Sequence, residues 1–243
     1  MSDTTAAAPD APSLAGILGQ LFTAPREAFA SLLPRPRWWI ALAGVMALNL
    51  GFTAVWMSKV DPREFMTEQI EASPRAANLA PEQKAQVIEQ QLSLFPVFAW
   101  MGPVFVAILV FFVAALYLFL FRFVRGGDVT FGGSMGVVAW SFLAVGLISV
   151  PLLLGTIALK DEWNADPRTA LLAGPAAFLD KADTPAFLYS LLESIDLFTL
   201  WTLWLMAVGY AVAHRKPTGW AVATVFVPWA VYVLGKAALA GVF

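Results

Sequence analysis

The side chains able to do chemistry next to apolar sequence gather in two places. Glu193-Ser194-Ile195-Asp196 opens an uncharged run, with Thr199 and Thr202 one turn on, and Lys236 interrupts a later apolar run. An ionisable group at membrane depth costs free energy, so it marks a functional site and calls for a partner. Two readings follow. In one, Asp196 pairs with Lys236, and with Glu193 and Thr199 they build a polar site for a solute, an ion or a lipid. In the other, Lys236 snorkels to the membrane surface and Asp196 caps the helix that follows it. Asn49 could bond a substrate or bridge to a neighbouring helix. His214, beside Arg215, reads as a headgroup-facing side chain or as a ligand or proton carrier.

Other chemistries are excluded by what is missing. The chain has no cysteine, which removes disulfides and thiolate catalysis, and its single histidine removes a multi-histidine metal site. Gly126-Gly127-Asp128 is a turn, without the glycine spacing and lysine of a phosphate loop. The acidic residues are too irregularly spaced for a calcium loop. Nucleophile elbows, zinc-helix motifs and paired carboxylates within an apolar block are absent from the sequence. The chain therefore reads as a non-enzymatic protein without a cofactor or resident metal. A net charge of −2 gives no footprint for nucleic acid.

The elements that would hold these residues are membrane helices. Of 243 residues, 59% are hydrophobic and only 13% are charged, half the charge of an average soluble domain. The apolar residues also fall in blocks. Five blocks, at 38–57, 96–121, 131–159, 197–213 and 217–241, reach the roughly 17–25 residues that a helix needs to cross a bilayer. Alternating segments of barrel type are absent, and lipid offers no partner for unpaired backbone. The expected fold is all-α, a polytopic bundle of five transmembrane helices. Pro151 is expected to kink or end the third span and Pro228 to bend the fifth.

Flanking segments complete the expected layout. Residues 1–12, small and polar, read as a disordered tail without a cleavable signal, leaving the first span to direct insertion. Within 13–37, Leu14, Ile17, Leu18, Leu21 and Phe22 recur at helical spacing, and Phe29, Leu32 and Leu33 do so after Pro25. These are expected to be two amphipathic helices on the membrane surface. The segments 58–95 and 160–195 are expected to be loops with short surface helices, one beginning near Pro81 and others around Leu171, Leu172, Phe178, Phe187 and Leu191. Those loops carry seven basic and twelve acidic residues, whereas the short turns concentrate Arg122, Arg125, Arg215 and Lys216. The positive-inside rule then places the N-terminus in the cytoplasm and the C-terminus outside. Gly132 and Gly136 form a small-residue pair suited either to a dimer seam or to close helix contact within one bundle.

Three stretches give the chain a family resemblance. LFTAPREAF carries Phe22, Pro25 and Phe29 before the first span. GGDVTFGGSMGVVAWS carries Gly127, Thr130 and Phe131 at the start of the third. IDLFTLWTLWLMAVGYA carries Asp196, Phe198, Trp201 and Gly209 in the fourth. On these the chain resembles the Yip family, the Ypt/Rab-interacting membrane proteins, and its short bacterial members in particular. The third span departs from the family pattern, its proline coming only at Pro151. The resemblance implies five spans, a cytoplasmic N-terminus and no known catalysis. Eukaryotic relatives serve membrane traffic and organelle shape. The expected function is a scaffold, adaptor or membrane organiser whose partners are the lipid bilayer and other membrane proteins or a second copy. The alternative is a transporter or channel built on the polar site above.

Overall fold

The computed structural model describes residues 13–71, 73, 79–171, 173–181 and 183–242. The expected tail over 1–12, and Leu172 and Phe243, lie outside the described residues. Among these residues every regular element is helical. Helix α1 (Leu14–Thr23) is capped by Ser13, whose hydroxyl accepts from Gly16 N, and α2 (Pro25–Leu32) starts on its proline. Then come α3 (Trp38–Met57), α4 (Pro62–Glu71), α5 (Pro81–Phe119) and α6 (Phe131–Lys160). A short α7 (Pro167–Ala170) and a 3₁₀ turn (Pro175–Phe178) lead to α8 (Ala186–Glu193), α9 (Leu197–Ala213) and α10 (Thr218–Val242).

Helices α3, α5, α6 and α10 are each long and apolar enough to cross a membrane, and α8 with α9, bent by 51° where they meet, reach that length and apolarity only together, as one broken element. The protein is an all-α, multi-pass membrane protein. Its exposed surface agrees with that: Phe112, Phe123, Val231 and Tyr232 are each more than half exposed. A contiguous apolar surface of this kind is a liability in water and the expected lining against lipid. The bundle has a basic end, with the turns holding Arg122, Arg125, Arg215 and Lys216. The opposite, loop end carries α4, α7 and α8.

Helix α5 corrects one expectation. The helix expected to start near Pro81 is not a separate surface element; it runs unbroken into the second span through Pro96 and Pro103. Each proline forfeits one intrahelical bond, but the turns on either side keep theirs. At about 1.5 Å per residue its 39 residues extend roughly 58 Å, about twice the hydrocarbon thickness, so its first turns stand clear of the membrane. There α4 folds back on it. Trp56 packs edge-on to Phe65 and against Phe95, at 5.2 and 5.7 Å between ring centres, and its Nε1 donates to Trp163 O. Asn164 accepts from Asp61 N and donates to Glu64, stitching the two loops together. A five-residue π-helical turn (Leu120–Val124) then ends the second crossing.

Helix α6 is the centre of the bundle. It continues past Pro151 to Lys160, so that proline does not end it. All nine residues from Gly133 to Ser141 are buried, so this first half of α6 is enclosed on every side, whereas Leu152 and Leu159 further along are exposed. Around it stand α3, α5 and α9, with α1 also touching it and α10 packing on α9. Polar atoms in this core find backbone partners: Ser134 Oγ donates to Ala114 O at 2.6 Å, and Tyr117 OH donates to Val225 O at 2.7 Å. In hydrocarbon such bonds join helices at little cost in desolvation.

Candidate functional site

Where α8 meets α9, the ionisable residues divide into two arrangements. Asp196 sits in an extended conformation at the N-cap of α9, and one carboxylate oxygen accepts from Phe198 N at 2.9 Å and Thr199 N at 3.0 Å. Lys236, reaching over from α10, donates to Glu193 Oε2 at 3.1 Å and to Ser194 Oγ at 3.2 Å. The pairing of Lys236 with Asp196 is therefore not the one adopted. Asp196 satisfies the orphan amides of the helix it starts, and Lys236 neutralises the carboxylate at the end of α8. Thr199 contributes its backbone amide, and Thr202 Oγ1 donates back to Phe198 O.

A loop seals this break. Leu197 N donates to Ala173 O, and Gly174 lies so close that a Cβ there would stand 2.1 Å from Ile195 O. Only glycine permits that approach. The cluster is thus a cap, an ion pair and a docked loop, closing the bend between α8 and α9. Among the described residues no group of three or more histidine or acidic side chains is placed to hold a metal.

Four of the motif residues, Phe22, Phe29, Trp201 and Gly209, meet elsewhere, on a seam along α9. Phe29 is fully buried and abuts Gly209, where a Cβ would lie 2.7 Å from Val137 Cγ1 and 3.2 Å from Phe29 Cε1. Phe22 contacts Trp201, 5.5 Å between ring centres, and Arg26 donates to Lys216 O and Thr218 Oγ1. So α1 and α2 are docked against α6 and α9 of the bundle. Phe131 stacks on Phe111. Gly127 fits under the His214 ring, which would stand about 2.1 Å from a Cβ at that position. Three stretches far apart in the chain thus supply one continuous interface. The family model of the Yip1 domain matches residues 19–239, from α1 almost to the end of α10. The chain belongs to the Yip1-domain family. A search of curated proteins and a search of solved structures each returned no match. In this Yip1-domain chain, the matched region takes in the second half of α1 and the whole of α2, α6 and α9.

Two of the remaining expectations meet a definite geometry. Gly136 faces Pro36 of the same chain, with 2.7 Å between Pro36 Cβ and a would-be Cβ, and Gly132 faces the same ring. The small-residue face is occupied from within. Asn49 bonds its own helix, donating to Val45 O at 2.9 Å, and does not bridge to a neighbour. It lines a lateral cavity of about 690 Å³ enclosed by α3, α5, α6, α9 and α10 and walled mostly by side chains such as Val113, Phe142, Phe198 and Met206.

Sequence reading missed the Ser134–Tyr210 contact (2.6 Å between hydroxyls) and the bond from Trp140 Nε1 to Pro36 O. The signal available was a lone hydroxyl or indole inside an apolar run, which tells that a partner is needed but not which one. It also missed a second pocket of about 450 Å³ at the basic end, lined by Arg125, Asp128, His214, Arg215, Lys216 and Trp220.

Proposed function

We propose that this protein is a non-enzymatic scaffold or organiser of a bacterial inner membrane, with its N-terminus and basic end in the cytoplasm. The observation that carries this reading is the docking of α1 and α2. Both add bulk beside α6 and α9 at the basic end, fixed by the buried Phe29 and by Arg26. A bundle broadened at one leaflet spreads the lipid there and presents a rigid helical surface to other membrane proteins. The arginine-rich turns supply the orientation through the positive-inside rule.

The alternative is a carrier or channel for a solute, an ion or a lipid, and the lateral cavity favours it. Transport needs free polar groups near the midplane. Here the buried hydroxyls of Ser134, Ser141, Tyr117 and Tyr210 are engaged with backbone or with each other. This makes them structural ties, which ranks the organiser reading first.

The test is reconstitution of the full chain and of a 13–33 deletion into liposomes, with Arg26→Gln as a milder undocking variant. Wild type should reduce vesicle diameter and recover partners from native membranes in mild detergent. Both variants should weaken these effects. Unchanged vesicles and unchanged partner recovery in a folded deletion variant would refute the reading.

A further inference from the structure

We infer that the pocket between the two basic turns is a binding site for a phosphate group carried on a lipid headgroup or a soluble anion. Its walls come from the α5–α6 and α9–α10 turns. Three cations, Arg125, Arg215 and Lys216, line it together with one carboxylate, Asp128, and among the described residues none of the four is in an ion pair. Elsewhere the described residues do form such pairs, as Lys236 does with Glu193. A net positive pocket of about 450 Å³ falls within the roughly 300–1,000 Å³ common for ligand sites.

Two features set it apart from a scattering of surface charge. Arg125 is preorganised: its guanidinium lies 4.5 Å over the Trp220 ring and donates one N–H to Trp220 O at 2.9 Å, leaving its other N–H groups for a ligand. The floor beneath is a rigid aromatic stack, with His214 centred 5.2 Å from Phe121 and 5.1 Å from Trp220. Arg215, for its part, holds a left-handed backbone conformation (φ 55°) just past the end of α9. Glycine occupies that position without strain, so the turn tolerates replacement of Arg215 by glycine. Planar, bidentate donors beside a basic residue suit a phosphate's oxygens, and basic pockets between membrane helices are where anionic headgroups bind.

The test is native mass spectrometry of the full chain released from detergent, with dioleoyl phosphatidylglycerol, dioleoyl phosphatidylcholine and inorganic phosphate as probes. Phosphatidylglycerol should be retained over phosphatidylcholine. The double variant Arg215→Gly, Lys216→Gln, which keeps the left-handed turn, should lower that retention by about thirtyfold. The control Arg35→Gln, Arg37→Gln removes the same charge at the same end but outside the pocket, and should leave retention intact. Displacement of the lipid by inorganic phosphate assigns the site to a soluble anion, and resistance to displacement assigns it to the headgroup; both support a phosphate site. Equal retention of the two lipids, or an equal loss in the control variant, overturns it.

Discussion

Replacing Gly136 with alanine tests whether α6 and the Pro36 segment meet as tightly as described. The new Cβ would lie 2.7 Å from Pro36 Cβ. Non-bonded carbons rest at about 3.5–4.0 Å, so roughly 0.8 Å of movement or more is required. Pro36 has no alternative rotamer, because its ring is part of the backbone. Its carbonyl accepts from Trp140 Nε1 at 3.0 Å, and displacement on that scale takes the bond out of range. Overpacking costs about 1–3 kcal/mol, and the lost bond about 1 kcal/mol. Alanine recovers about 1 kcal/mol of helix propensity over glycine. The net effect is a destabilisation of about 1–3 kcal/mol.

Gly155, in the same helix, provides the control, since nothing lies within 4 Å of a Cβ built there. The same substitution at that position should stabilise by about 0.5–1 kcal/mol through propensity alone. Thermal unfolding in mild detergent, followed by tryptophan fluorescence, reads both. At roughly 2–4 °C per kcal/mol for a chain of this size, the two variants should separate by about 5–15 °C. A Gly136→Ala protein that melts at or above Gly155→Ala would refute the close contact and the reasoning built on it.

Two further substitutions probe the polar ties. Ser134→Ala removes the group that Tyr210 OH meets at 2.6 Å and leaves that hydroxyl stranded in the core, costing about 1–3 kcal/mol; Ser134→Ala with Tyr210→Phe should regain part of the loss in the same melting assay. Lys236→Met should cost only about 0.5–1 kcal/mol, because the ammonium is more than a third exposed. Glu193→Gln should then add little in the Lys236→Met background, and fully additive losses would refute the pairing.

The membrane helices were legible in the sequence because the bilayer acts on each one separately. A run such as Phe131 to Leu159 must be helical in lipid whatever surrounds it, and short apolar-periodic segments such as Leu14–Phe22 announce themselves the same way. The cap at Asp196 was one of two readings open on sequence, and it too is local: an acidic residue meets amides two and three positions on. The carboxylate of Asp61, accepting from Arg63 N and Glu64 N, makes a contact that is local in the same sense.

Partner choice was not legible, because it depends on distances between residues far apart in the chain. Asn49 had a backbone carbonyl one turn back within reach, and only its surroundings, an open cavity on one side, decided against a neighbouring helix. A helix begins at Pro81 as expected, but where it ends was not legible, because a proline such as Pro96 or Pro151 fixes only its own turn, while packing of the flanking turns carries the helix through it.

The amino-acid sequence alone determined that this chain is a helical, multi-pass membrane protein of Yip resemblance, since hydrocarbon leaves unpaired backbone no other solution and the motifs are contiguous. Tertiary structure alone decided which charges meet: Lys236 finds Glu193 because α10 crosses the bend before α9. It also placed the α1–α2 pair in the bundle, and brought the two basic turns around one pocket. Those outcomes depend on how the helices cross, and lipid, which treats every apolar face alike, leaves that to side-chain fit between them.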